Sequence, residues 1–489
     1  MKSIWEKDYI NFNLSKVNKN INTPLLIIGG GLSGLMCAYF LMKENIEFIL
    51  VEARSLGMGT TSGTTGQVTI AHTNIYADIK KKHGLLKAEK YLASQIDGFN
   101  LMKDIIKKEN IECDYKEEST IITASSKEGL KIFNQEKPIF IKNNLAEIIT
   151  SDKILKSKKA LEFKNQFIVN PAKYLNGIVD ILLKNNIKLY DKSKVTDLIK
   201  EKDGYTATIN NKYTIKTNKV IMACHYPFLV PDNLYFAKIY QSKSYTIAFK
   251  TDLKLKANYL SLDKPYYYLR TYDDNTLLIG GSDHYTGINI DIEECYNTLA
   301  AKVYKLDKHA KITHKWSRED CIVIDSLPYV GEYSKKHKNI ILVTGFQKWG
   351  FTNSHVAAQN VLKILLNEKH NNLYKTSRCT LIRSPKNTCR MVLHSIDGLL
   401  ISKLLLKKAN IENIMIGSGK AIREGTKTIL VYRESEDKFI YLENKCTHMG
   451  CSLIWNDIEK VWESKCHGSI FDPYGRVIQG PANQDLYKI

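Results

Sequence analysis

The residues best suited to chemistry stand in two groups far apart in the chain. Near the N-terminus, Gly29, Gly31 and Gly34 follow the apolar run Leu25–Ile28 in G-x-G-x-x-G spacing, and Glu52 closes the next apolar run. A buried strand that feeds glycines into a helix start brings bare N–H groups and a positive dipole end to a pyrophosphate. Gly29 permits the tight turn, Gly31 the close approach of phosphate, and Gly34 the packing of helix on strand. Glu52 stands where a carboxylate takes ribose hydroxyls. The pattern predicts a dinucleotide site built from Gly29, Gly31, Ser33, Gly34, Glu52, Ala53 and Arg54. Downstream, Gly57, Gly59, Gly63 and Gly66 are interleaved with small hydroxyl residues, among them Thr60 and Thr61. Such a segment suits a cofactor's phosphates and sugar chain, the alternative being a flexible solvent loop. Near the C-terminus, Cys446, His448, Cys451, Cys466 and His467 gather metal-ligating side chains, for which a zinc site is the plainest reading.

The elements that must position these residues follow from periodicity. A strand over Leu25–Ile28, a helix over Leu32–Lys43 and a strand over Ile46–Val51 frame the glycines, after a polar leader over 1–23 expected to pack loosely. A helical period covers Ala77–Lys108, a strand-like piece Ile121–Ala124, and an amphipathic helix Ala172–Asn186. Short strands are expected at Ile187–Tyr190, Lys194–Ile199, Tyr205–Ile209 and Tyr213–Lys216, joined by hairpin chemistry, then a buried strand at Lys219–Ala223. Asn371–Lys408 reads as a basic connector with one helical piece, LLISKLLLKK, before short strands IENIMIG, KTILVYR and KFIYLE.

Composition bounds the class. The 489 residues allow two or three domains, and 44 % hydrophobic content supplies a core. No apolar run reaches membrane-span length and no signal sequence is evident, so a cytoplasmic protein is expected. The net charge of +20 is spread among lysines along the whole chain, which argues against nucleic acid as a partner. Seven cysteines are scattered singly, unlike a secreted disulfide scaffold.

From about Pro24 to Leu366 the chain resembles the D-amino-acid-oxidase-like family of FAD-dependent oxidoreductases, through the glycine fingerprint, WSREDCIVIDSLPYVG (Trp316–Gly331) and ILVTGFQKWGFTNSHVAA (Ile341–Ala358). The resemblance implies a Rossmann-like FAD-binding domain interleaved with an α+β substrate domain. FAD-binding pieces fall at about 24–76, 166–230 and 317–370, and substrate-domain pieces at about 77–165 and 231–316. It also implies that Val195 meets the adenine through its backbone, and that Gly345, Gly350, Phe351 and Thr352 close over the flavin. A helix start there stabilises the charge of a reduced flavin. Tyr268, Arg270, Lys348 and Trp349 are candidates to face a small-molecule substrate. Some family members hold a substrate carboxylate with an arginine four residues past the equivalent of Trp316. Asp320 stands there instead, so simple amino acids are expected to be poor substrates. No acid or base stands out; His72, His225, His284 and Lys348 are the titratable side chains on loops expected near the flavin.

The segment 409–489, after a connector at 371–408, resembles a Rieske domain, an all-β module that holds a [2Fe-2S] cluster by two cysteines and two histidines. The resemblance implies Cys446, His448 and His467 as ligands and Cys451 with Cys466 as a disulfide. It breaks at Ser464, where the family has its second cysteine ligand, so the fourth ligand lies between Ser464 and Cys466 or the cluster is lost. The function implied is oxidation of a small amine by hydride transfer to FAD, with electrons passing to the [2Fe-2S] centre and on to an electron-transfer partner. The alternative is an FAD oxidase whose C-terminal domain has lost its cluster and serves as a docking or structural module.

Overall fold

A computed structural model describes residues 2–149, 152, 154–229 and 232–489. The strand Ile21–Ile28 lies at the centre of an eight-stranded sheet, paired in parallel with Ile49–Val51 on one side and Tyr213–Met222 on the other. Ile340–Thr344 extends the parallel set beyond Tyr213–Met222, and Lys188–Tyr190 beyond Ile49–Val51. Helices Leu32–Lys43, Pro171–Lys184 and Gly350–Leu365 pack on this sheet and supply much of the largest core. Leu26, Ile27, Leu50, Val220 and Ile221 are fully buried, as strands covered on both faces require.

The glycine turn forms for a steric reason. Gly29 has φ +111°, and a Cβ on Gly34 would stand 1.8 Å from the Gly29 carbonyl oxygen, so neither position admits a side chain. The helix from Leu32 thereby starts against the strand end, at the point where strand order reverses, which is where open α/β sheets bind ligands.

A second, nine-stranded sheet carries the long strands Ile239–Lys250, Thr276–Tyr285 and Lys311–Val323, with Tyr267–Asp273, Ala257–Ser261, Lys116–Ala124 and Lys159–Ile168 following in order. The C-terminal region forms a three-stranded sheet (Ser418–Glu424, Lys427–Arg433, Phe439–Glu443) and a four-stranded sheet (Leu453–Asn456, Val461–Ser464, Ile470–Phe471, Val477–Gln479). Among the described residues no helix is long and apolar enough to cross a membrane.

Several expectations need correction. The leader is not loosely packed: Trp5 is 1 % exposed and its indole Nε1 donates to the Thr64 carbonyl at 2.7 Å, tying the N-terminus to the glycine-rich loop. Ala77–Lys108 is two helices, Ile75–His83 and Leu85–Lys108, because Gly84 at φ +90° ends the first. The second strand begins at Ile49 rather than Ile46, after Asn45 turns at φ +55°. Tyr213–Lys216 and Lys219–Ala223 form one strand, Tyr213–Met222. The connector helix starts earlier than its apolar repeat suggests, running without a break from Pro385 to Leu404. Residues 411–417 open on a short 3-10 turn at Ile411–Asn413, and the first C-terminal strand starts at Ser418.

Candidate active site

Two cavities of about 330 Å³ each open where the two large sheets meet. The first is lined by Gly29, Gly31, Ser33, Glu52, Ala53, Arg54, Thr60, Thr61 and Val195, then by Gly345, Gly350 and Phe351. Glu52 is held for this role: its carboxylate accepts from the backbone N–H of Gly30 at 2.8 Å and of Arg54 at 2.9 Å. Leu32 N–H donates to Thr61 Oγ1 at 3.4 Å, so the glycine-rich loop caps the fingerprint helix. Gly350 opens a buried helix whose free N–H groups face the same cavity. Phosphate donors, a ribose acceptor and a helix start at the far end suit FAD, and Gly34 lies just behind, holding helix to strand.

Sequence reasoning missed one wall of this cavity. Residues 477–483 of the C-terminal sheet line it from outside, and Asn483 Nδ2 donates to the Thr196 carbonyl at 2.8 Å. The stretch includes Gly480-Pro481-Ala482 of the Rieske-like segment, and nothing in its local sequence tells what it covers.

The second cavity lies beside the first and shares Thr60, Asp320, Lys348, Gly350 and Phe351 with it. Tyr240, Tyr266, Tyr268 and Trp349 give it aromatic walls, and Thr352 also lines it. Trp349 is fixed by stacking on His72 at 4.4 Å, and the Tyr268 hydroxyl by Thr246 Oγ1 at 2.8 Å. Arg270 does not line either cavity. Its guanidinium donates to the carbonyls of Thr65 and Thr271 and lies over the Trp5 ring, which corrects its assignment as a substrate contact. The cost of leaving buried carbonyls unpaired explains why an arginine is spent on backbone.

Charges in the second cavity are matched with one exception. Asp78 pairs with Lys82 at 2.6 Å, Asp283 with Lys348 at 2.7 Å, and Arg318 lies 3.8 Å from Glu6. Asp320 has no hydrogen-bond or ion-pair partner among the described residues, and burial raises its carboxyl to about 6. Lys348, lowering that value, and Asp283 and Glu319, raising it, are the charges near it.

The histidines are not proton carriers at neutral pH. Burial pushes His72 down to about 3 and His225 down to about 4, and it also lowers His284. Gln241 Nε2 donates to the carbonyls of His467, Gly468 and Gly480 at 2.7, 3.1 and 2.9 Å, so its Oε1 faces His225 Nε2 at 3.1 Å. His225 therefore carries its proton on Nε2, and Thr60 Oγ1, 3.1 Å from Nδ1, shares its hydroxyl proton between that nitrogen and the Glu319 carbonyl at 3.0 Å. This chain of bonds joins the cofactor cavity to the C-terminal loops.

Those loops hold Cys446 and His467 buried, with His448 beside them; the two imidazole rings lie 5.0 Å apart and each has a buried Nε2 without a partner. The rings pack on Tyr226, which itself lines the cofactor cavity. Cys451 and Cys466 form a disulfide, so Cys466 is removed as fourth ligand and Ser464 alone stands at that position. Among the described residues no group of three or more His, Cys, Asp or Glu side chains converges to hold a metal ion. The set is one thiolate short of two cysteines and two histidines, and does not fit the usual cluster.

The fold and the cavities define a two-cavity flavoprotein with an iron–sulfur-type domain attached. Comparison with known proteins agrees: a model described as FAD dependent oxidoreductase matches residues 25–363, and one described as Rieske [2Fe-2S] domain matches 406–489. The chain belongs to the FAD dependent oxidoreductase family and carries a C-terminal Rieske domain; FAD and a [2Fe-2S] cluster are the cofactors of those two families. It is 30 % identical over 97 % of its length to "Putative Rieske 2Fe-2S iron-sulfur protein YhfW" of Bacillus subtilis (strain 168), covering 94 % of that protein. It is 21 % identical to gamma-glutamylputrescine oxidoreductase of Escherichia coli (strain K12), over 71 % of this chain and 85 % of that one. Among solved structures, glycine oxidase from Geobacillus kaustophilus superimposes with TM-score 0.60 at 15 % identity, covering 73 % of this chain and 99 % of that one.

Proposed function

We propose that this flavoprotein oxidises a small cationic amine, and that the C-terminal domain acts as a fixed wall of the cofactor cavity rather than as the electron outlet. Asp320 carries the first half of the reading. It is the one acid of the second cavity left without a counter-ion among the described residues, and it lies on the boundary with the cofactor cavity. An ammonium group would supply that counter-ion, and the aromatic walls add cation–π attraction. A substrate carboxylate would meet repulsion at the same place.

Bound FAD would supply the hydride acceptor. Asp320 orients the amine and takes one of its protons: an N–H bond breaks, an O–H bond forms, and the neutral amine is left ready to lose hydride. Trp349, pinned by His72, and Tyr268, pinned by Thr246, hold the walls still while the carbon is presented.

The test is anaerobic flavin reduction by a panel of primary and secondary amines set against glycine, sarcosine and D-alanine. Amines should reduce the flavin and the amino acids should not; rapid reduction by the amino acids would sink the assignment. Asp320→Asn should weaken amine binding at least about tenfold. Since the carboxyl titrates at about 6, amine affinity in the parent should hold above that pH and fall below it, and the Asn variant should lose this pH step. Iron and acid-labile sulfide per flavin test the second half. Flavin without iron is expected; two irons per flavin would mean that Ser464 completes a cluster after all.

A further inference from the structure

The connector between the two domains presents an apolar face to solvent that nothing among the described residues covers. Its helical backbone from Pro385 to Leu404 packs inward through Met391 and Gly398, and a Cβ on Gly398 would stand 2.5 Å from Cys466 Sγ. Asn387 Nδ2 donates to the Ile324 carbonyl at 3.0 Å, so the inner face touches both domains. The outer face carries Leu393, Leu400 and Leu404 at 60, 61 and 69 % exposure, with Leu405 at 71 % just beyond. Ile382, before the helix in sequence, is also 80 % exposed. A soluble protein seldom leaves so many large apolar side chains together in water.

The charges around this face select its occupant. Residues 380–411 contain Arg383, Lys386, Arg390, Lys403, Lys407 and Lys408 against a single carboxylate, Asp397, which is already paired with Lys465 at 3.1 Å. Arg383, Lys386, Arg390, Lys407 and Lys408 are exposed. Arg390 lies over the Tyr285 ring and Arg383 donates to the Lys82 carbonyl, but none of the five is neutralised by a carboxylate among the described residues. Apolar side chains on one face flanked by exposed cations are what a helix needs to lie in the headgroup layer of an anionic bilayer. A protein partner of ordinary composition gives no reason for so one-sided a charge.

We infer that this connector is a membrane-surface attachment site, inserting Leu393, Leu400, Leu404 and Leu405 among the acyl chains of an anionic leaflet while the flanking lysines and arginines bind lipid phosphates. The helix lies on the membrane and does not span it. The +20 charge of the whole chain, which the even spread of lysines left without a partner, adds long-range attraction toward the same surface.

Flotation of the intact flavoprotein with vesicles tests the inference. The protein should float with an equal mixture of phosphatidylglycerol and phosphatidylcholine and stay behind with phosphatidylcholine alone or in high salt. The pair Leu400→Ser with Leu404→Ser should weaken vesicle binding at least about tenfold without loss of flavin, because both side chains are exposed in the free protein. Lys407→Ser with Lys408→Ser should weaken it less and should flatten the salt dependence. Failure to float with anionic vesicles would overturn the site. So would equal flotation of the leucine variant, or a concentration-dependent dimer that the leucine variant breaks, since a second copy would then be the occupant.

Discussion

The two ends of the molecule carry signatures of unequal completeness. In the glycine fingerprint every residue stands where its chemistry requires: Gly34 permits the close approach to Gly29, and Glu52 is oriented by two N–H groups. In the C-terminal loops Cys446, His448 and His467 are in frame, yet Ser464 replaces a thiolate and Cys466 is locked in a disulfide. The polypeptide around the incomplete site is nevertheless well packed, with Trp462 and Phe471 fully buried and Ser464 itself 1 % exposed. A fold can thus be retained for what its surface does after the feature that defines its family has changed.

What its surface does is visible at the interface. Lys243 of the second large sheet is fully buried and meets Glu463 at 2.6 Å, Glu319 at 3.4 Å and Glu459, of which Glu459 and Glu463 belong to the C-terminal domain. Proximity of the carboxylates raises the lysine well above its ordinary range, and the crowding of acids with burial raises Glu459. A tethered domain that swings between partners would not bury such a cluster, because each undocking would rehydrate and then desolvate four charges.

Substitutions can sharpen the contrast. Gly34→Val should have the largest effect, abolishing flavin retention, since the new Cβ would overlap the Gly29 carbonyl; retained FAD in the purified variant would break the claim that the fingerprint is complete. Lys243→Met should follow, lowering stability by about 3–5 kcal/mol because three carboxylates lose their ammonium, and calorimetry should show flavin released in the same transition. Gln241→Leu should cost less, about 1–3 kcal/mol, by stranding the carbonyls of His467, Gly468 and Gly480, and should speed FAD dissociation while leaving amine affinity alone. Ser464→Cys should change stability least. If the parent lacks iron as proposed above, the variant should gain two irons per flavin and a Rieske-type paramagnetic signal, and failure to gain iron would show that more than one ligand is missing.

Much of the first cavity was legible because its determinants are local. Glycines, small hydroxyls and a strand-end acid act within about one βαβ unit, and their spacing carries the geometry. The helix start at Gly350 was legible through the family resemblance of Ile341–Ala358. The rest depended on partners distant in sequence. Arg270 reads as a pocket residue on an aromatic strand, but its guanidinium is drawn to the carbonyl of Thr65 beneath Trp5, and no pattern links those positions. Asp320 was legible as a missing arginine, but its lack of a counter-ion required the pairing of Asp283 with Lys348 to be seen. The connector read as a basic segment with one helical piece, and only the fold shows that its apolar stripe is uncovered among the described residues.

The wall formed by residues 477–483 has a consequence for biosynthesis. The Rossmann elements emerge from the ribosome before this stretch, so until residues 477–483 dock the cavity lacks one of its walls and is wider for FAD to enter. Docking of the C-terminal domain adds that wall, and the Lys243 cluster holds the domain in place. Cofactor loading and domain docking are therefore coupled through one surface.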